Sequence, residues 1–496
     1  MNKVIALPQA AKIGEVFTPA RWARWLLDQW QVGDRWLAGA TVCDPTAGAG
    51  IFALSLFQIA RERNIPLTPD LVNRITLIDR QGKHLENFRA IAKREYGINF
   101  PAANCLERDL IINPPDLKFD ILVGNPPWAN FTDLPDSYKQ KLKPYFVAAG
   151  LVPDKKQVLL GASRVDIAAL ILKIALGNLL DDHGAGYFFV PRSLFSGGDA
   201  HLGFRDYRSQ GRDFCVNAVF EFTETEVFES VITAYAAAAF TIDMLQTFPV
   251  KYYCEKDGDW QEYVAQPLRL RSDQWRITPR NQLGAKEEAI EIAITPHQKP
   301  RQGVNTCGAN GVFIFKQKPD FLPAEFIYPL ATKELWKTEQ QEPTKWILLP
   351  YEQQTGKPIA WERLASYPDL RSYLEKFKVQ LQNRKGTLIR AAIAKGYWWA
   401  LLGVGLYSFA PFKIIWQAYG KHDFRPQILT QVDDQMWQGN QAMHAFIPCW
   451  DLVDAQQLLD LLQNPHIPKI LHELNGGGQC NWAQPGKIKK ILSIEK

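Results

Sequence analysis

Short apolar runs alternate with helical patterns over the first quarter of the chain. Residues 41–44, 74–79, 99–105 and 118–124 are predicted strands, and residues 51–61 and 83–96 are predicted helices. The continuous apolar run 118–124 is typical of a strand that is buried on both faces of a parallel sheet. Strands that alternate with helices predict a doubly wound α/β sheet, whose ligands bind beyond the carboxyl ends of the strands.

The pattern continues more loosely with a predicted helix over 164–180 and strands over 186–191, 214–222 and 232–242. Beyond Phe248 the alternation stops, and the remainder is rich in Trp, Tyr, Gln and Pro. A chain of 496 residues is long enough for two cores. We therefore predict two domains, a sheet domain over 1–248 and a mixed α+β domain over 249–496.

A small-residue turn follows the first predicted strand, with the sequence Asp-Pro-Thr-Ala-Gly-Ala-Gly-Ile-Phe over 44–52. Glycine has no Cβ, so a ligand can approach such a turn closely. Asp79 ends the second strand, where a carboxylate can accept hydrogen bonds from ribose hydroxyls, and Asp109 follows the third, where it can accept from a ligand amino group. Each also has an ordinary structural interpretation, as a strand–helix connection, a helix N-cap and a loop aspartate respectively.

The most informative motif is Asn125-Pro126-Pro127-Trp128, directly after the run Ile-Leu-Val-Gly. Two prolines restrict the backbone, so we expect the Asn125 side chain and the Pro126 carbonyl to point the same way. Two acceptors that converge on a planar amino group favour its attack on an electrophilic methyl group. Trp128 offers a face on which a planar substrate can stack. The alternative is a proline-rich turn after a core strand.

With these motifs the sequence resembles the adenine-N6 DNA methyltransferases of the gamma arrangement, found in restriction–modification and phage-defence systems. The resemblance covers most of the chain. Its cofactor motifs precede the catalytic one, and its target-recognition domain is C-terminal. Two positions depart from the common pattern: Trp128 replaces Tyr or Phe, and Thr46-Ala47 replaces Ala-Cys.

The resemblance implies a Rossmann-like methyltransferase sheet, S-adenosylmethionine as cofactor, and methylation of the exocyclic N6 of an adenine that is flipped out of a specific DNA sequence. It implies a catalytic role for Asn125, Pro126, Pro127 and Trp128, and base stacking by Trp128 and Phe228, although Phe228 by itself is an ordinary core residue. The cofactor-binding residues that it implies are Thr18, Pro19, Asp44, Thr46, Gly48, Gly50, Phe52, Asp79, Asp109 and Asn125.

Cations are concentrated in the second half of the chain, whose net charge is positive although that of the first half is close to zero. Between residues 371 and 395, seven Lys or Arg residues accompany the single acid Glu375. A polyanionic partner explains such a run, and a solvated helix face is the alternative. We predict double-stranded DNA as the partner, with phosphate contacts from Arg384, Lys385, Arg390, Lys395, Lys413 and Lys421. Gln438, Asn440 and Gln441 are of the type that pairs with adenine edges.

Seven scattered cysteines without a Cys-x-x-Cys pair predict neither a disulfide framework nor a zinc site, and they favour a reducing cytoplasm. No apolar run reaches membrane-spanning length. We find no nuclease motif, so a restriction or defence activity would belong to another subunit. Other substrates remain open, namely RNA or a protein glutamine, as does a catalytically inactive DNA-binding subunit on the same scaffold. The long C-terminal half favours DNA.

Overall fold

The computed structural model describes residues 16–152, 165–228, 231, 233–268, 270–282, 292–337, 342–475 and 480–494. The chain forms two compact units, Met1–Ala285 and Lys286–Lys496. The boundary that we predicted at residue 248 is therefore too early. The described residues between 250 and 279 form no helix, which is why the alternation stops at Phe248, but they contribute three further strands to the sheet of the first unit.

The first unit is built on a sheet that has eleven strands in the described part of the chain. In chain order they are β1 (Val42–Asp44), β2 (Ile75–Asp79), β3 (Cys105–Glu107), β4 (Phe119–Gly124), β5 (Leu180–Pro191), β6 (Arg208–Ser209), β7 (Arg212–Glu221), β8 (Tyr235–Ile242), β9 (Val250–Lys256), β10 (Asp259–Pro267) and β11 (Trp275–Pro279). Their spatial order is β11-β10-β9-β7-β8-β5-β4-β1-β2-β3, with β6 beside β7. From β3 to β5 all neighbours are parallel. The doubly wound α/β class predicted from the sequence is confirmed.

Helices cover both faces of this sheet. They are α1 (Ala20–Gln29), α2 (Val32–Leu37), α3 (Ile51–Glu62), α4 (Pro69–Asn73), α5 (Gly82–Tyr96), α6 (Asp136–Ala148), α7 (Ile167–Leu179) and α8 (Ser193–Ser196). Strand β4 shows why its sequence is apolar throughout: Ile121 and Val123 pack with α1, α3 and α5 in one core, and Leu122 packs with α6 and α7 in the other.

The third strand differs from the prediction over 99–105. It spans Cys105–Glu107, because a 3-10 helix at Ala102–Asn104 occupies the preceding residues. Pro101 has no backbone N–H for a sheet ladder. The Asn104 amide instead donates to the carbonyls of Asn73 and Ile75, at 2.9 and 2.8 Å. The shift places Asp109 two residues after the strand, at the same edge as Asp44 and Asp79.

The second unit is a mixed α+β structure, as predicted. Its strands are β12 (Ile292–Ile294), β13 (Arg301–Gln302), β14 (Ile314–Phe315), β15 (Ile327–Pro329), β16 (Trp346–Leu348), β17 (Phe412–Gln417), β18 (Gln427–Leu429), β19 (Gln431–Val432), β20 (Gln435–Met436), β21 (His444–Cys449) and β22 (Leu492–Ile494). Its helices are α9 (Asn310–Phe313), α10 (Pro368–Lys376), α11 (Lys378–Gln382), α12 (Thr387–Ala394), α13 (Leu452–Leu462), α14 (His466–Leu474) and α15 (Pro485–Ile488). They surround small sheets, of which the largest has the order β13-β21-β17-β18. Among the described residues of both units, no helix is long and apolar enough to cross a membrane.

Candidate active site

A cavity of about 210 Å³ lies at the carboxyl ends of the central parallel strands. It forms where β1 and β4 are neighbours and the chain winds outward in both directions, which is the expected ligand position in a doubly wound sheet. Eight of the ten predicted cofactor residues line it, namely Thr18, Asp44, Thr46, Gly48, Phe52, Asp79, Asp109 and Asn125. The other two serve the backbone nearby: Pro19 is the N-cap of α1 and Gly50 is the N-cap of α3.

The turn between β1 and α3 has its shape because of two glycines. Gly48 has φ +50°, and its N–H donates to Asp79 Oδ2 at 2.8 Å. Gly50 has φ +71°, and a Cβ there would overlap the ring of Phe88. Both left-handed conformations strain any residue with a side chain. The turn can therefore expose its backbone to the cavity while α3 packs closely on α5.

Asp44 is a buried carboxylic acid at the base of the cavity, 2% exposed. Its Oδ1 accepts the Thr46 N–H at 3.1 Å and lies against Gly124, where a Cβ would come within 3.0 Å of that oxygen. Burial raises the pKa of Asp44 to about 8, and the charge of nearby Asp79 adds to the effect. Without a cationic partner, this carboxyl group is mainly protonated at neutral pH.

Asp79 and Asp109 reach the cavity from β2 and from the segment after β3. Asp79 Oδ1 accepts the Gln81 N–H at 2.7 Å and lies 3.4 Å from His84 Nδ1. Asp109 Oδ1 accepts the N–H groups of Ile111 and Ile112, at 3.0 and 3.3 Å. Backbone donors thus hold Asp79 by both oxygens, since Oδ2 accepts the Gly48 N–H, and hold Asp109 by Oδ1, so each carboxylate has a defined orientation.

Asn125 has the clearest functional geometry of the site. Its Nδ2 donates to the carbonyl of Val16 at 3.1 Å and to Thr18 Oγ1 at 3.2 Å. Its Oδ1 is buried and has no hydrogen-bond partner among the described residues. Because leaving a buried acceptor unpaired is unfavourable, this oxygen is suited to a donor from a ligand. Thr18 is one of the cofactor-binding residues that the resemblance implies, and the structure gives its hydroxyl an additional contact, with Asn125.

The aromatic residues beside Asn125 form a wall. Trp128 is half-buried and stacks on Tyr235, with ring centroids 5.6 Å apart and planes 27° apart. Phe228 meets Trp128 edge to face at 5.0 Å and Phe189 at 5.3 Å, and it is only 1% exposed. Phe228 therefore lies behind Trp128 and has no open face for a base. This contradicts the stacking role that we predicted for it; Tyr235, which the sequence did not single out, is the partner of Trp128.

The sequence analysis also did not single out Asp166, which is the N-cap of α7. Its carboxylate caps α7 by accepting the Ala168 N–H at 2.8 Å, and its neighbour Ile167 donates a backbone bond to the Ala129 carbonyl at 2.9 Å. Burial raises the pKa of Asp166 to about 7. These contacts attach the segment after Trp128 to the start of α7. An Asp before an apolar helix is an N-cap signature, so the sequence held a signal for it.

The lining residues fit S-adenosylmethionine. Thr46 Oγ1, like Asn125 Oδ1, is buried without a partner among the described residues, and both residues line this cavity. Two such polar atoms in one wall indicate a polar ligand. Asp79 could hold ribose hydroxyls, Asp109 an amino group, and Asp44 the positively charged end.

The predicted DNA contacts of the second unit divide into two groups. Lys385, Arg390, Lys395 and Lys421 are exposed. Arg384 and Lys413 are buried, and the structure contradicts their assignment as phosphate ligands. The Arg384 guanidinium donates to the carbonyls of Leu381, Thr306 and Trp398, and Lys413 Nζ donates to the Ala410 carbonyl at 3.0 Å.

Burial also lowers the pKa of Lys413 to about 7, so the charge of this side chain is reduced at neutral pH. Gln438 is another interior residue, 1% exposed, whose amide donates to the Ser408 carbonyl at 2.8 Å. Trp398, Trp399 and Trp416 are buried as well. These side chains hold the second unit together, and base reading by Gln438 is contradicted.

No protein-family model and no curated protein matches the chain. Similar solved structures include the Type IIL restriction-modification enzyme MmeI in complex with DNA, at 12% identity and a TM-score of 0.49, covering 88% of this chain and 61% of that one. A nuclease-deletion mutant of the Type ISP restriction-modification enzyme LlaGI, in complex with a DNA substrate mimic, has 12% identity and a TM-score of 0.47, with 88% and 48% covered. The EcoKI M protein has 11% identity and a TM-score of 0.33, with 48% of each chain covered. The chain thus spans between about half and three fifths of the length of these proteins, and its site assignments depend on its own geometry.

Proposed function

We propose that this chain transfers a methyl group from S-adenosylmethionine to the exocyclic N6 of an adenine in a specific DNA sequence. The observation that carries the proposal is the orientation of Asn125. Its amide nitrogen is held by Val16 and Thr18, its buried oxygen has no partner among the described residues, and the residue lines the cavity. An acceptor held in this way is suited to the N–H of an amino group.

The amino group needs orientation more than it needs a base. When bound, S-adenosylmethionine supplies an electrophilic methyl group on a sulfonium: the carbon gains a bond to the amino nitrogen, its bond to sulfur breaks, and sulfur keeps the electron pair. Asn125 accepts one N–H of the amine and turns the nitrogen lone pair toward the cavity. The nitrogen loses a proton to solvent after transfer, so a neutral amide is sufficient.

We assign other residues of the site to the cofactor and to the target base. We assign the ribose to Asp79, the adenine amino group of the cofactor to Asp109 and its cationic end to Asp44. The exposed part of Trp128 supports the target base beside Asn125. A base inside a duplex cannot reach this cavity, so it must be flipped out at a cost of a few kcal/mol.

Contacts to DNA phosphates offset that cost. We assign them to the exposed cations of the second unit, Lys385, Arg390, Lys395 and Lys421. A restriction–modification or phage-defence system, with cleavage on another subunit, is the biological setting that we propose.

The test is Asn125→Ala in a methylation assay with labelled S-adenosylmethionine and DNA that contains many sequences. We expect a rate about 10²–10³-fold lower, the range for loss of one preorganised hydrogen-bonding group. Asn217→Ala, an exposed asparagine on β7, is the matched control. Methylation by the parent that survives in Asn125→Ala would overturn the proposal, and so would labelled protein or RNA in place of labelled N6-methyladenine.

A further inference from the structure

A tyrosine that the sequence motifs did not indicate lines the cavity beside Asp109. Tyr138, in the first turn of α6, lines the cavity together with Asp109 and Arg80. Its hydroxyl donates to Asp109 Oδ2 at 3.0 Å. The guanidinium carbon of Arg80 lies 5.1 Å from the centre of the Tyr138 ring, which is within the range of a cation–π contact. Tyr138 is thus held both at its ring and at its hydroxyl.

These contacts leave Asp109 with little freedom. Oδ1 accepts two backbone N–H groups, those of Ile111 and Ile112, and Oδ2 accepts the tyrosine hydroxyl. Burial raises the pKa of Tyr138, so this hydroxyl keeps its proton and remains a donor. A carboxylate oxygen can accept two hydrogen bonds. Oδ2 therefore has capacity for one further N–H or O–H donor.

We propose that Tyr138 is a positioning residue that, through Asp109, makes this end of the cavity selective for a purine with an exocyclic amino group. The inference depends on the proposed function, since it concerns the adenine end of the cofactor. The hydroxyl of Tyr138 prevents the carboxylate from turning, so the remaining acceptor direction of Oδ2 is fixed. An amino group satisfies that acceptor, whereas a carbonyl oxygen in its place brings two acceptors together and is repelled.

The experiment measures binding of two probes by calorimetry with the full chain. S-adenosylhomocysteine carries the amino group, and S-inosylhomocysteine carries an oxygen at the same position. We expect the parent to bind the adenosyl probe at least tenfold more tightly. Tyr138→Phe is expected to weaken adenosyl binding by about three- to tenfold and to leave inosyl binding within twofold of the parent.

Two further variants distinguish positioning from packing. Tyr145→Phe makes the same chemical change on α6 outside the cavity wall and should alter neither affinity. Asp109→Asn should remove most of the preference for the adenosyl probe, and adding Tyr138→Phe to it should have little further effect, because both act on one contact.

Equal weakening of both probes by Tyr138→Phe would assign Tyr138 to packing and overturn the inference. No change with either probe would overturn it as well. If the parent bound neither probe, the proposed function itself would fail, and the inference with it. If the parent bound both equally, only the inference would fail.

Discussion

In the N-terminal unit, Asp44, Asp79 and Asn125 lie at the carboxyl ends of three separate strands and line one cavity, whereas in the C-terminal unit one of two adjacent cations is buried and the other is exposed. Arg384 is 6% exposed and has three carbonyl partners, but the next residue, Lys385, is exposed. The carboxyl ends of parallel strands meet at one edge, so topology brings residues at these positions together. A residue in a charged run of the sequence has no position in the fold that is fixed by topology in this way. Motifs at strand ends therefore locate a site better than composition does.

The largest effect that tests this comparison is expected for Arg384→Ala. The substitution leaves the carbonyls of Leu381, Thr306 and Trp398 without their donor in the interior. We expect a loss of about 2–4 kcal/mol, because buried polar groups lose their partner. The measurement is urea unfolding of the full chain followed by circular dichroism. An unchanged midpoint would mean that Arg384 is not a structural residue.

Gly50→Ala tests whether a side chain in the glycine turn of the N-terminal unit lowers stability as much as loss of the Arg384 side chain does. A methyl group there meets the Phe88 ring and imposes a side chain on φ +71°. We expect a loss of about 2–3 kcal/mol, from backbone strain and overpacking together.

Gly97 provides a matched control for this substitution. It has the same φ of +71°, but a Cβ there would have no neighbour within 4 Å. Gly97→Ala should therefore cost only the backbone strain, about 1–2 kcal/mol. Equal losses in the two variants, measured by thermal unfolding, would remove the clash with Phe88 from the explanation.

The buried carboxyl group of Asp44 in the N-terminal unit should make cofactor binding dependent on pH. Burial raises the pKa of Asp44 from 3.8 to about 8. The folded group therefore binds a proton that the unfolded group has lost, and in the absence of cofactor the folded state loses stability as the pH rises from about 4 to 8. Binding of a cation requires the ionised form. The affinity for S-adenosylmethionine should rise about tenfold per pH unit between about pH 6 and 8 and then level off.

Asp44→Asn is the control for this pH dependence, since it removes the titrating group and leaves the titration of the ligand itself unchanged. Calorimetry from pH 6 to 9 on both proteins gives the comparison. A parent and a variant with parallel pH profiles would contradict the role of Asp44 at the cationic end of the cofactor.

The smallest effect is expected for Lys385→Ala, which changes the exposed one of the two adjacent cations. One lost phosphate contact should reduce DNA affinity about two- to threefold at moderate salt, and should reduce the slope of log affinity against log salt by about one. Fluorescence anisotropy with a labelled duplex measures both quantities. Arg384→Ala, below its unfolding temperature, should leave the slope unchanged. A larger change in slope for Arg384→Ala than for Lys385→Ala would reverse the comparison.

The sequence predicted those parts of the site that depend on local order. The end of β1 at Asp44, the glycine turn and the end of β4 before Asn125 follow from apolar runs and small residues that are contiguous in the chain. Tyr138 and Tyr235 could not be found in that way, since they reach the site from α6 and β8, and nothing in their own neighbourhood distinguishes them from core tyrosines. The burial of Phe228 and Arg384 could not be predicted for the same reason, because it depends on which distant segments of the chain pack against them.

The contact of Asn125 with Val16 and Thr18 decides which of the two ends of its carboxamide group, the oxygen or the nitrogen, is left for a ligand. The oxygen and the nitrogen of a carboxamide have nearly the same size, so packing alone does not decide which of them enters a cavity. The Val16 carbonyl can only accept, so it selects the nitrogen, and the Thr18 hydroxyl accepts the second N–H. A carboxylate in place of Asn125 would present an oxygen to the Val16 carbonyl and be repelled there, which makes Asn125→Asp a disruptive change despite its small size. The orientation of the Asn125 amide is thus decided by a part of the chain more than one hundred residues away.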